Sequence, residues 1–483
     1  MTVVRDAPAA TGHHSALSRR QRWTLLVVMA GTFMAIMDSF IVNVAVPSIR
    51  DTLSASYAQV ELAVGGYVLV YGVLLVTGGR LGDLYGTRRM FMAGTWVFLV
   101  GSLAAGLAPE PVTLIAFRAV QATGAALFYP QVLAVLQTAF TGRARATAFA
   151  VFGATIGLAS IAGQVLGGLL IHLDVFGLGW RNVFLVNVPV GLLTLAGAAR
   201  LLPPDHATAT RTGLDLTGVG LLSGSLLLLT VPLVQGQHTG WPAWAWISLA
   251  ASAPALGVFV AWERRLAVRG GSPLVDPALF RQRGFTAGTA IALVFFAGNA
   301  GLFFVLALQL QNGMGYSPLA AGLTFAPLAA AFAAASLLAP RLRARLGPHA
   351  LTLGYAINAA GTLALLVTAW TAGTGLTGWT LLPALTVIGL GEGLCVSTLI
   401  GAILAGVPAR DAATAGGVLE TAVQVGMSLG VTVLGLVFVT ALGPNPDPTA
   451  HTDAFTVTLV GNLALAVTAL VLLPPLWSGR AAR

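Results

Sequence analysis

Fourteen long apolar runs dominate this chain, at 23–47, 59–79, 90–108, 112–138, 148–171, 182–201, 214–235, 243–262, 286–312, 319–339, 350–371, 379–405, 412–441 and 454–477. A bilayer core takes roughly 20 apolar residues as a helix, and each run is close to that length or longer. In hydrocarbon, a helix satisfies every backbone N–H and C=O within its own segment, which few other folds can do. The longest connection, about 263–285, leaves no room for a soluble domain. Of 483 residues, 57% are hydrophobic and 8% charged, against about 25% charged in a soluble domain. So few charges could not cover a water-soluble surface of this size. The expectation is an all-α membrane protein with 14 transmembrane helices.

The charges that remain are placed with a bias. The chain has 25 Arg and no Lys against 16 acids, for a net charge of +9. A basic chain can signal nucleic-acid binding, but here apolar spans divide the arginines among short loops. With the N-terminus inside, 22 arginines fall in inner loops and tails, Arg50 and Arg181 in outer loops, and Arg118 within a span. Positive loops stay cytoplasmic, so both termini are expected inside, and the basic character reads as topology rather than nucleic-acid contact. Abundant Ala, Gly and Arg without Lys suggest a GC-rich bacterial genome, hence a multi-pass protein of a bacterial inner membrane. The tail 1–22 is polar and the first run is long enough to span, so no cleavable leader is expected.

An internal echo divides the chain. Arg80-Leu81-Gly82-Asp83-Leu84-Tyr85-Gly86 follows the second run, and Arg341-Leu342-Arg343-Ala344-Arg345-Leu346-Gly347 follows the tenth. Both fit R-L-x-x-x-x-G. They correspond if runs 1–6 and 9–14 are equivalent bundles, at 23–201 and 286–477, with 202–285 a two-helix insertion and 478–483 a second inner tail. Repeated halves with a site between them are a transporter architecture.

Four charged groups stand out inside spans: Asp38, Arg118, Glu392 and Glu420. Each costs at least ~2.5–3.5 kcal/mol at the bilayer centre, which marks it for a function. Helical rise puts Asp38 ~22 Å from the inner start of its helix and Arg118 ~9 Å inside the outer end of the fourth. Both then sit in the outer half at similar depth, so contact is possible, directly or through Gln121. Glu392 lies mid-helix in Gly389-Leu390-Gly391-Glu392-Gly393, where the glycines are expected to leave open space around the carboxylate. Glu420 stands one turn before Gln424. These acids either exchange protons for cations facing a central cavity, or hydrogen-bond across helices. Glu61, near the outer end of the second run, reads as solvated. Tyr67, Phe128, Tyr129, Phe295, Phe296, Phe303 and Phe304 can stack on cations or simply pack.

Enzyme chemistry has little foothold. The histidines, at 13, 14, 172, 206, 238, 349 and 451, occupy tails, loops or helix ends with no H-x-x-x-H pair. Cys395 is the single cysteine, and no phosphate-binding loop is present.

Several motifs carry a family resemblance. Gly79-Arg80-Leu81-Gly82-Asp83-Leu84-Tyr85-Gly86-Thr87-Arg88-Arg89 resembles the signature loop of the major facilitator superfamily, G-x-L-a-D-r-x-G-r-[KR]-[KR]. Met37-Asp38-Ser39-Phe40-Ile41-Val42-Asn43-Val44-Ala45-Val46-Pro47 resembles the first-helix motif of its fourteen-helix drug:proton antiporters. Arg118-Ala119-Val120-Gln121-Ala122-Thr123-Gly124-Ala125-Ala126 is similar to their fourth-helix motif, with Ala122 in place of glycine. Ile161-Ala162-Gly163-Gln164-Val165-Leu166-Gly167-Gly168 is similar to the fifth-helix antiporter motif G-P-x-x-G-G, with Gln164 in place of proline. Trp180–Gly191 and Gln311–Pro318 also fit.

The resemblance implies a proton-coupled antiporter exporting small lipophilic, often cationic, drugs, with a proton-coupled uptake symporter as the alternative. It implies coupling by Asp38, Arg118 and Gln121, joined on physical grounds by Glu392, Glu420 and Gln424. It implies gating by Gly79, Asp83, Gly86, Arg88, Arg89, Gly163, Gln164, Gly167 and Gly168. Asp83 can cap a helix or pair with an arginine; the loop is either a latch or a topological anchor. The implied partners are a small-molecule substrate and the bilayer, with protons as coupling ion, no further cofactor, and a monomeric chain.

Overall fold

Among the described residues every apolar run is helical, and most of the helices extend past the apolar core because their i to i−4 ladders continue into polar ends until a cap stops them. The computed structural model describes residues 17–205, 213–236, 240–443 and 447–474. The long helices are α1 Arg19–Leu53, α2 Tyr57–Tyr85, α3 Thr87–Gly106, α4 Pro111–Thr138, α5 Gly142–Leu173, α6 Asn187–Leu201 and α7 Leu216–Gln235. They continue as α8 Ala243–Val268, α9 Arg283–Leu308, α10 Ala326–Leu346, α11 His349–Ala372, α12 Gly378–Leu404, α13 Ala412–Leu442 and α14 Pro448–Val471. Short helices Asn182–Leu185 and Pro318–Thr324 precede α6 and α10, and α5 bends by 43° between Ser160 and Val165.

Starts and stops follow local chemistry. Ser18, Ser56 and Thr377 form capping boxes, and Asp215 and Asp447 cap α7 and α14 by accepting from Gly218 and Ala450 amides. The repeated R-L-x-x-x-x-G ends α2 and α10 alike: Gly86 (φ +105°) and Gly347 (φ +57°) both take left-handed backbone that other residues rarely adopt.

The helix pairings repeat at a spacing of eight. α3 packs on α4, α2 on α4, α1 on α5, α1 on α6 and α3 on α6; correspondingly α11 packs on α12, α10 on α12, α9 on α13, α9 on α14 and α11 on α14. The two groups meet along two edges of one seam, α2 against α13 and α5 against α10. α7 and α8 pack mainly on each other, with α7 also touching α2 and α13. Thr432 on α13 donates to the Leu233 carbonyl of α7 at 3.0 Å.

Burial differs widely from helix to helix. The most apolar stretch of α12 is 83% buried and that of α8 only 17%. Large apolar residues such as Leu193, Ile247, Trp370 and Trp379 stand exposed on the periphery. An outer surface this apolar suits lipid rather than water.

Candidate functional site

The charged centre of the first group is assembled by α1, α3, α4 and α6. Asp38 and Arg118 are 0% and 1% exposed, so neither charge is answered by water. Arg118 Nη1 donates to Asp38 Oδ2 at 2.6 Å and to Gln121 Oε1 at 2.7 Å. Gln121 Nε2 and Asn187 Nδ2 each donate to Asp38 Oδ1 at 2.9 Å. The same two amides donate to Ser102 Oγ at 3.0 Å, and the Ser102 hydroxyl donates in turn to the Phe184 carbonyl at 2.9 Å. Arg118 Nε reaches the Ala63 carbonyl at 3.1 Å, and the Tyr67 ring lies under the guanidinium at 4.0 Å. The contact expected between Asp38 and Arg118 is therefore both direct and bridged by Gln121. With three donors on one carboxylate and a countercharge in contact, the pair is neutral and the carboxylate is satisfied, as a pair in low dielectric must be, while Asn187 Oδ1 is left without a partner among the described residues. Placing a proton on Asp38 would remove the charge that holds Arg118.

A second construction crosses the seam at the arginine-rich end. Asp83, in the last turn of α2, accepts from the Ala413 and Thr414 amides at 3.1 and 2.8 Å. These are the first free N–H groups of α13, where the helix dipole favours an anion. Of the two roles open to Asp83, it takes the cap. Gly79, one turn earlier, lies against the same place, and a Cβ there would collide with the Ala413 backbone. Close by, Gln137 of α4 donates to the Leu404 carbonyl of α12 at 2.6 Å. Gly86, Arg88 and Arg89 lie elsewhere. The Arg88 and Arg89 amides donate to the Asp205 carboxylate at 2.8 and 3.1 Å, the Arg88 guanidinium bonds the Ala199 carbonyl, and Gly86 packs on Asp205. This ties α3 to the end of α6 within the first group, not across the seam.

Glu392 and Glu420 occupy different surroundings. Glu392 lines a small cavity inside the second group with Phe295, Asn299, Asn358, Thr362 and Asn462, so it faces the interior of that group. The glycines around it do not open space. A Cβ on Gly389, Gly391 or Gly393 would collide with the backbone of Leu328, Asn358 or Phe332, so these glycines serve close packing of α12 on α10 and α11. Glu420 does border the seam. Gln424 Nε2 donates to it at 3.4 Å, and Tyr71 and Tyr129 of the first group are near enough for electrostatic interaction. Gln424 also lines a cleft between α2, α7 and α13.

The sequence model of the Major Facilitator Superfamily matches residues 28–431. This chain belongs to that superfamily. It is 40% identical over 425 residues to a probable actinorhodin transporter of Streptomyces coelicolor, covering 88% of this chain and 73% of the relative. It is 34% identical to the tetracenomycin C resistance and export protein of Streptomyces glaucescens, over 92% of this chain and 81% of the relative. It is 36% identical to a cephamycin export protein of Amycolatopsis lactamdurans, over 97% and 95%. In fold it is similar to a human organic anion transporter, with a TM-score of 0.66 and 14% identity over 94% of this chain and 100% of that one. Members of the superfamily are membrane transporters rather than enzymes, as expected from the sequence.

Within this major facilitator fold, the fifth-helix glycines also have a definite place. Gly163 packs on Met37 and Phe40, and Gly167 on Ile41, of α1; Gly168 has only the distant Val44. They seat α5 on α1 inside the first group. By contrast Gly157 meets Phe332 of α10 across the seam. The side chains of Gln164 and Glu61 lie outside the described residues. Ser102 and Asn187 are members of the Asp38 centre that the sequence reading did not single out, although Asn187 falls inside the matched segment Trp180–Gly191. The available signal was a hydrogen-bonding side chain in an apolar run, which costs energy unless it finds a partner.

Proposed function

We propose that this transporter exports small lipophilic, antibiotic-like compounds, often cationic, across a bacterial inner membrane in exchange for protons. The observation that carries the reading is the buried Asp38–Arg118 pair, a carboxylate whose single charge is claimed by a fixed cation and can be claimed instead by a proton. The export proteins to which the chain is similar handle antibiotics, which supports the substrate class. The arginine-rich end is read as cytoplasmic by the positive-inside rule. Residues 23–201 and 286–477 are the two moving halves, 202–285 is the insertion between them, and one chain forms the transport unit.

In the cycle, the Asp83 cap, Gln137 and Gly79 hold the halves together at the cytoplasmic end. Protonation of Asp38 from outside loosens Arg118 and the five-residue network around it. Tyr67, stacked on Tyr71 at 6.1 Å and thence edge-on to Tyr129, carries that change toward Glu420 at the seam. Gly86, Arg88 and Arg89 position the α2–α3 turn, and Gly163 and Gly167 set the α1–α5 contact that accompanies the opening, with Gln164 and Gly168 in the same gating segment of α5.

The test uses purified protein in liposomes without ATP. An imposed proton gradient is expected to drive uphill movement of a tetracenomycin-like or cationic drug, and a protonophore to collapse it. Movement of drug and protons in the same direction would favour uptake symport and overturn the reading. A further expectation concerns Glu420, whose carboxylate borders the seam with, among the described residues, only Gln424 donating to it. Glu420→Gln is expected to lower transport of cationic substrates about tenfold, ~1.4 kcal/mol, while neutral ones keep most of their rate. Equal loss for both classes would remove Glu420 from cation recognition.

A further inference from the structure

The Asp38 centre has a counterpart eight helices later. Asp38, Ser102, Arg118 with Gln121, and Asn187 come from α1, α3, α4 and α6. The cavity of the second group takes Asn299, Asn358 with Thr362, Glu392 and Asn462 from α9, α11, α12 and α14. These are the corresponding helices, joined by the same pairings. The two centres differ in one respect. In the first, a guanidinium neutralises the carboxylate. In the second, among the described residues, no arginine reaches Glu392, and space on the scale of one water molecule lies beside it.

The lining is oxygen-rich. Glu392 is 2% exposed, Asn462 4%, Asn358 7% and Thr362 1%. Asn299 borders the same cavity beside Glu392. The side chains of Asn358 and Asn462 have no hydrogen-bond partner among the described residues, yet both border the cavity; Asn462 Oδ1 would stand 3.0 Å from a methyl on Gly298, beside Asn299. Buried amides without partners are costly. A proton alone needs one base and would leave these oxygens idle. A small hard cation takes several neutral oxygens and one carboxylate, and a single negative charge balances a monovalent ion rather than a divalent one.

We infer that this cavity is a monovalent-cation site of sodium size, held by the Glu392 carboxylate and side-chain oxygens of Asn299, Asn358, Thr362 and Asn462. Its use in transport rests on the exporter reading; its occupancy does not. The ion supplies from solution the positive charge that Arg118 supplies covalently in the first half.

The experiment measures radiolabelled sodium binding and thermal unfolding of the full chain in nanodiscs at alkaline pH, with choline replacing sodium at constant ionic strength. Saturable binding and a sodium-dependent rise in Tm are expected for the unaltered protein. Glu392→Gln is expected to abolish both, and Asn462→Leu, which keeps the carboxylate, to weaken binding about tenfold. No difference between sodium and choline, a site that responds to acid alone, or unaltered binding in a folded Glu392→Gln protein would each overturn the site. Drug efflux from liposomes, run in parallel, separates this outcome from the exporter reading: sodium binding without drug export overturns only the latter.

Discussion

Asp38→Asn is expected to abolish proton-driven efflux of every substrate while leaving Arg118 charged and buried. The substitution keeps the shape and hydrogen-bonding reach of the side chain but removes the one negative charge that, among the described residues, contacts the guanidinium, 2.6 Å away. Breaking a buried pair from one side costs about 3–5 kcal/mol, because the surviving charge is unpaired. Two measurements follow. Coupled transport should fall by at least about 100-fold, or ~2.7 kcal/mol in barrier terms, with substrate-induced proton release lost. Stability should fall as well, and the double variant Asp38→Asn with Arg118→Gln should recover part of it, since no charge is then stranded. Recovery of stability without recovery of transport separates the coupling role from the packing role. If Asp38→Asn pumped normally against a gradient, the coupling reading of this centre would be wrong.

Asp83→Ala is expected to shift the balance between the two ends of the molecule rather than to weaken either half. Its two bonds to the Ala413 and Thr414 amides cross the seam, so they exist only while the arginine-rich end is closed. Charge-assisted hydrogen bonds contribute about 1.5–3 kcal/mol each. Removing both by ~3 kcal/mol in total moves a two-state equilibrium by roughly 100-fold or more toward the form open at that end. Asp83→Asn, which can still cap but without charge, should shift it less. Spin labels on the arginine-rich ends of α4 and α12 report the change as a longer distance. Gly79→Leu should push the same way by collision with Ala413. Unchanged distances in both variants would reduce the loop to a topological anchor.

Hydropathy alone made the fourteen helices legible, because lipid allows no other fate for runs of that length. The R-L-x-x-x-x-G echo foretold that α2 and α10 end alike, since only glycine sits comfortably at the positive φ of Gly86 and Gly347. Depth counting placed Asp38 beside Arg118 because rise per residue is fixed. Helix azimuth is not fixed by rise, and that is where the reading fell short. Glu392 was expected to face a central cavity and turns instead into the interior of its own group, while the glycines beside it were read as space and prove to be contact surfaces. Arg88 and Arg89 stood next to Asp83 in sequence, yet the chain turn at Gly86 sends them to Asp205 rather than to the seam. Ser102 and Asn187 were overlooked because one serine or asparagine in a long apolar run carries no mark of its partner.

The seam between the groups is not equally covered along its two edges. α7 lies along the α2–α13 edge and is bonded to α13 through Thr432 and Leu233, while among the described residues α5 and α10 pack closely against neither α7 nor α8. A molecule dissolved in the surrounding lipid therefore meets a wall on one flank and two bare helices on the other. A sideways entrance from the bilayer is therefore expected between α5 and α10, and it would require the buried contact of Gly157 with Phe332 to part.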